Sequence, residues 1–141
     1  MQLQDLEVDD IVLAPCYFYD TANKSYEYNR SRCFVIEEID EETSKCLLRS
    51  ISTQKYEFSH KIEHYDDTGL DEQPSYIHCC PYNLATYDAD GITSKIGKLH
   101  EDDADLFTEK VGEYGDYNLK KELLSVKERI QRRRKELENE R

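Results

Sequence analysis

The chain has 141 residues, one domain by the usual prior, with 31 acidic residues against 19 Lys plus Arg and a net charge of -12. Hydrophobic residues make up 38%, below the globular average, yet the 11 tyrosines argue against a disordered chain, which would be poor in aromatics. No apolar run approaches the ~20 residues of a membrane helix, and five cysteines, odd in number and without framework spacing, argue against a disulfide-stapled secreted scaffold.

Short β-patterned runs dominate the first hundred residues. Met1 to Asp5 show neither the basic start nor the apolar stretch of a secretion signal, so a cytoplasmic protein is expected. Ile11 to Ala14 and Cys16 to Tyr19 read as a strand interrupted at Pro15. Turn chemistry from Asp20 to Ser25 precedes Tyr26 to Arg32, which leads into the apolar run Cys33 to Ile36. A polar turn at Asp40 to Lys45 separates that run from Cys46 to Ser52. Tyr56 to Ile62 alternates apolar and polar side chains, as a half-exposed strand does, and Ser75 to Cys80 reads as a further strand. Ile92 to Leu99 is a short strand or bend. Strands at roughly ten-residue spacing point to a small barrel or sandwich.

Helical signals come late. The acids after His100 suit a helix N-terminus, with Leu106, Phe107 and Val111 as its expected buried stripe. Beyond Gly115, Leu119, Leu123, Val126, Ile130 and Leu137 fall at steps of three and four, and Arg133 takes the one slot that should be apolar. Asn118 to Glu140 is rich in helix formers and has no Gly or Pro. Residues 116–141 carry nine basic and six acidic groups, net +3, leaving -15 for residues 1–115. The expected organisation is therefore a β domain over 1–115 and a charged helix over 116–141. An acidic body is not the usual footprint of a nucleic-acid binder.

Cys79 and Cys80, with His78 beside them, invite a metal or redox reading. No C-x-x-C pair exists, so buried reduced thiols are expected, with no metal and no cofactor. His60, His64 and His100 are expected to have structural or solvent roles.

Two stretches go beyond generic patterning. The run from Val8 to Pro15, reading Val-Asp-Asp-Ile-Val-Leu-Ala-Pro, resembles the opening strand of the MazF/PemK toxins, and Arg30 to Ile36 resembles their second strand. Pro74 to Cys80, then Thr86-Tyr87-Asp88, then Lys95-Ile96-Gly97-Lys98-Leu99 match that family's later motifs in order and spacing. Together the matches span about residues 5–112 and leave out the tail helix. The resemblance implies a mainly β (α+β) fold: a small SH3-like β-barrel of the MazF/PemK/CcdB type with a packed helix, here with an extra C-terminal helix. It also implies a homodimer, a small antitoxin as partner, and metal-independent, sequence-specific cleavage of single-stranded RNA.

Such cleavage needs a base for the ribose 2'-hydroxyl, a cation for the phosphorane and an acid for the leaving 5'-oxygen. The family's catalytic Arg precedes a Pro on the second strand. Counting back from Val35 and Ile36 without a gap puts Ser31 at that place and Arg32 at the Pro, whereas a one-residue slip puts Arg32 or Arg30 there. The family's third-strand hydroxyl falls on Ser52, with Thr53 beside it. His78 and Cys80 stand where some members have Arg and Asp. His78 suits a proton carrier near neutral pH. Tyr17, Tyr19, Tyr26 and Tyr28 are candidates for stacking unpaired bases, although Tyr is also a routine strand residue.

Two functional readings follow. One is an active ribonuclease toxin using Arg32 or Arg30, Ser52, Thr53 and His78, with Tyr17, Tyr19 and Tyr28 on the RNA. The other is a catalytically inactive acidic module on the same barrel, inhibiting a protein partner or mimicking nucleic acid.

Overall fold

The computed structural model describes residues 1–20, 23–55, 58–71, 73–80 and 84–139, and of residues 18, 19, 84, 115–129 and 139 the backbone alone. Among these residues the order is β1 (Asp10–Asp20), β2 (Ser25–Asp40), β3 (Lys45–Ser52), β4 (Ser59–Lys61), β5 (Tyr76–His78), β6 (Leu84–Asp88), β7 (Ser94–Lys98) and one helix, α1 (Glu101–Asn139). Short 3-10 turns occupy Leu3–Asp5 and Ala89–Gly91.

The strands form an antiparallel sheet in the order β4-β5-β3-β2-β1-β7. One edge of β3 is shared: Lys45 to Arg49 pair with β6, and Ile51 and Ser52 pair with β5. Among the described residues β4 and β7 do not pair, so the sheet curls without closing into a full barrel.

Pro15 does not end β1. Between the pairs Ala14↔Arg32 and Cys16↔Asn29, β1 advances two residues while β2 advances three. Pro15 has no N–H to give the ladder, and a bulge at this point absorbs the mismatch. The strand continues to Asp20 and carries the β1–β2 hairpin beyond the core.

Both faces of the central strands are buried, which explains their nearly continuous apolar runs. On one face Val12, Phe34, Ile36 and Leu48 pack with Leu6, Ala89 and Ile92. On the other, Ile11, Val35, Ile51 and Ile77 pack with Ile62, Leu99, Ala104 and Phe107, so α1 covers this side. The expected helix stripe needs one correction. Ala104 and Phe107 are buried and Val111 packs against them, whereas Leu106 is 46% exposed. Positions 104, 107 and 111 follow the three- and four-residue steps of one helix face, and Leu106 lies off it.

Buried polar groups close the domain. Asp10 accepts the Glu7 N–H at 2.7 Å and lies 3.6 Å from Lys95 Nζ, tying the approach to β1 onto β7. Gly97 lets β7 press on the 67–69 loop, because a Cβ there would fall 2.3 Å from Asp67 O. At the start of α1, His100 Nδ1 accepts the Asp102 N–H at 3.1 Å and satisfies one of the free amides of the first turn. Buried Asp103 accepts from His60 Nε2 at 2.9 Å, His64 N at 3.0 Å and Glu63 N at 3.2 Å. These three contacts pin the helix to β4 and the loop after it.

Beyond the sheet α1 runs on without a break through Gly115 to Asn139. Ile130 and Leu137 are exposed on it. No helix among the described residues is long and apolar enough to cross a membrane.

Candidate active site on the sheet face

The β3–β5 register brings Ser50, Ser52 and His78 together. Ile51 pairs with Ile77 and Ser52 with Tyr76, so extending the ladder one step sets Ser50 opposite His78. Side chains alternate across a sheet, which puts Ser50, Ser52 and His78 on the face away from Ile51, Ile77 and α1. His78 Nδ1 is 3.3 Å from Ser50 Oγ, and Nε2 is 3.1 Å from Ser52 Oγ and 3.4 Å from Gln54 O. The imidazole is 1% exposed, and Ser52 lies on its more open side.

A hydroxyl on each ring nitrogen has a chemical consequence. Ser donates or accepts by rotating its O–H, so either neutral tautomer of His78, and the imidazolium, is satisfied. The Gln54 carbonyl beside Nε2 accepts from that nitrogen whenever it carries a proton. The Gln54 N–H in turn donates to Ser52 Oγ at 3.2 Å and orients it.

Arg32 shares this face by register. Phe34 pairs with Ser50, so two residues back along β2 the ladder extrapolates Arg32 to a place across from Ser52. Its charge reaches Tyr87: burial and then Cys16 push that hydroxyl up to about 12, while the Arg32 guanidinium pulls it the other way. Arg30 is exposed and lies across the bulge, where strict alternation fails. Thr53 is exposed in the bend that follows β3.

Tyr17 and Tyr28 pair across the hairpin, with ring centroids 4.7 Å apart, and are 77% and 51% exposed. Tyr26 is exposed as well. The Tyr19 side chain lies outside the described residues.

Arg49 is a residue that motif reading passed over. Its Nε donates to Glu37 Oε2 at 2.7 Å and an Nη donates to the Cys80 carbonyl at 3.2 Å. The guanidinium thereby holds the backbone just after His78. A lone charge inside the apolar run Cys46 to Ile51 was the available signal. The Cys80 side chain is buried, and burial pushes the neighbouring Cys79 thiol up to about 11, so Cys79 stays a protonated, unreactive thiol near neutral pH. Cys16, Cys33 and Cys46 are also free thiols, and Cys16 and Cys33 are only half-buried.

At the β4 edge of the sheet, a groove of about 520 Å³ runs between β4, β5 and α1, lined by Lys55, Lys61, Lys110, Tyr76, Leu106 and three glutamates. The mixed signs there give no net field for an anionic chain.

The open, curled antiparallel sheet backed by one helix has a MazF-like toxin fold. The structure is similar to the Mycobacterium tuberculosis toxin MazF-mt6, with a TM-score of 0.54 and 18% identity over 76% of this chain and 96% of that one. A mycobacterial endoribonuclease solved in complex with its cognate antitoxin superposes with a TM-score of 0.49 and 12% identity, over 76% of this chain and 88% of that one. Neither a family model nor a curated protein matches the sequence.

Proposed function

We propose that the chain is a cytoplasmic, MazF/PemK-type endoribonuclease that cleaves single-stranded RNA at specific sequences by 2'-hydroxyl attack, without a metal. The observation that carries this reading is the 3.1 Å contact between His78 Nε2 and Ser52 Oγ on a MazF-like sheet face.

The chemistry balances with one histidine. Neutral His78, with its proton on Nδ1 toward Ser50, takes the Ser52 proton at Nε2 while Ser52 Oγ takes the proton of the ribose 2'-hydroxyl. The 2'-oxygen attacks the adjacent phosphorus, and the Arg32 guanidinium offsets the charge of the phosphorane. The imidazolium is held by Ser50 and the Gln54 carbonyl. Its Nε2 proton then returns through Ser52 to the leaving 5'-oxygen, giving a 2',3'-cyclic phosphate and a 5'-hydroxyl. Exposed Tyr17 and Tyr28 supply stacking surface for unpaired bases, and Arg30 and Thr53 stand at the edge as phosphate contacts. A homodimer would widen this face, and a small antitoxin would cover it.

The test is incubation of the purified chain with a long unstructured RNA in EDTA, followed by end mapping. Discrete cuts with cyclic-phosphate and 5'-hydroxyl ends, lost in the Ser52→Ala and Arg30/Arg32 double variants, are expected. Intact RNA at micromolar protein would overturn the reading and leave the acidic, non-catalytic module.

A further inference from the structure

Away from Ser52 and His78, three side chains converge where the loop after β4 meets the start of α1. His64 Nε2 lies 3.7 Å from Asp102 Oδ2, and His100 Nδ1 lies 3.8 Å from the same oxygen. The two imidazoles stack with centroids 4.1 Å apart and 23° between their planes. One donor atom from each of the three residues lies within 4.8 Å of the other two. We infer that His64, His100 and Asp102 form a binding site for one zinc-class divalent metal ion, which staples the β4–β5 loop to the first turn of α1.

Distance supports this directly. A tetrahedral zinc ion with bonds of about 2.0–2.1 Å sets its ligand atoms about 3.4 Å apart. Both contacts to Asp102 are within a few tenths of an ångström of that edge. A metal lies in the plane of each imidazole that binds it, so the two stacked rings must swing apart to aim one lone pair each at the ion, and both are half-exposed and have room to do so. Their backbones need not move, because Asp103 already holds the N–H groups of Glu63 and His64, and His100 immediately precedes the helix. The backbone part of ordering such a site therefore costs little.

The donors also have the right chemistry. His100 Nδ1 accepts the Asp102 N–H, so this nitrogen carries a lone pair in the folded protein, and the ion would take that lone pair over. Two imidazoles and one carboxylate suit zinc, cobalt or nickel and not magnesium, which prefers oxygen ligands. The -15 charge of residues 1–115 attracts cations to the domain. Three protein ligands at an exposed position leave a fourth for water, so the affinity is expected to be micromolar and not that of a buried four-ligand site. The ion has no part in the proposed cleavage, because its ligands lie in the loop after β4 and at the start of α1, outside the Ser50, Ser52 and His78 cluster.

Calorimetric titration of the full chain with zinc chloride tests this. Expected are one saturable micromolar site, no binding of magnesium, and a rise in melting temperature with zinc. His64→Phe keeps the ring stack but removes the nitrogen, and His100→Asn keeps a helix cap but removes the imidazole. Each should weaken zinc binding about tenfold or more while leaving the zinc-free melting temperature near that of the parent. No saturable binding would overturn the inference. So would undiminished binding in both variants, which would place the metal on the free thiols.

Discussion

His60 Nε2 lies 2.9 Å from Asp103 Oδ1, joining β4 to the first turn of α1 with both side chains buried. Asp103 is fully covered and accepts three hydrogen bonds, two of them from backbone amides. Asp103→Asn keeps the shape but places an NH2 against donors. A loss of about 2–3 kcal/mol is expected in urea unfolding, the range for hydrogen bonds to a buried charge.

The same carboxylate gives the domain an acid limit. Burial pushes the Asp103 carboxyl up, but the hydrogen bonds from His60, His64 N–H and Glu63 N–H together outweigh it and hold the group below its ordinary value. A carboxylate depressed on folding contributes stability that is present above its unfolded pKa of about 3.9 and lost as pH falls through the folded value. Urea midpoints for parent and Asp103→Asn should therefore differ at neutral pH and converge well below pH ~4. A gap that stays constant with pH would contradict this assignment.

Cleavage should depend on the serine between histidine and solvent. Ser52→Ala removes the proposed proton relay and should slow RNA cleavage by about 10²–10⁴-fold, the usual weight of general acid–base catalysis. Arg32→Ala and His78→Ala should each cost an order of magnitude or more. Cys80→Ala should leave the rate almost unchanged, since it keeps the backbone carbonyl that accepts from Arg49. Initial rates on a short RNA carrying one cleavage site would measure all four.

Two glycines should behave oppositely. Gly97→Ala forces a methyl to 2.3 Å from the Asp67 carbonyl oxygen and backbone atoms of Thr68, so β7 or the 67–69 loop must shift. A loss of about 1–3 kcal/mol is expected, as for overpacked sites. Gly112→Ala meets nothing within 4 Å on α1 and should be neutral or stabilise by up to about 1 kcal/mol. Chemical denaturation of both variants reads the contrast.

Much of the fold was legible in the chain. Apolar runs bounded by turn residues located β1, β2, β3 and β5, because period-two burial and turn chemistry are local properties. The acids after His100 and the helix formers after Asn118 likewise marked α1. Ser52 and His78 were reachable through ordered motifs, though nothing in the linear sequence brings positions 26 apart within 3.1 Å. The pairing of β3 with β5 did that. Arg32 stays in unbroken register opposite Ala14 while Arg30 falls in the bulge beyond it, which one strand alone cannot reveal, since a bulge is a mismatch between two strands. The grouping of His60, His64, His100, Asp102 and Asp103 required the packing of α1 onto the sheet. Local pattern thus determined which segments became strands and helix. Only long-range pairing decided which polar side chains meet, because a one-residue shift moves every side chain of a strand to the other face.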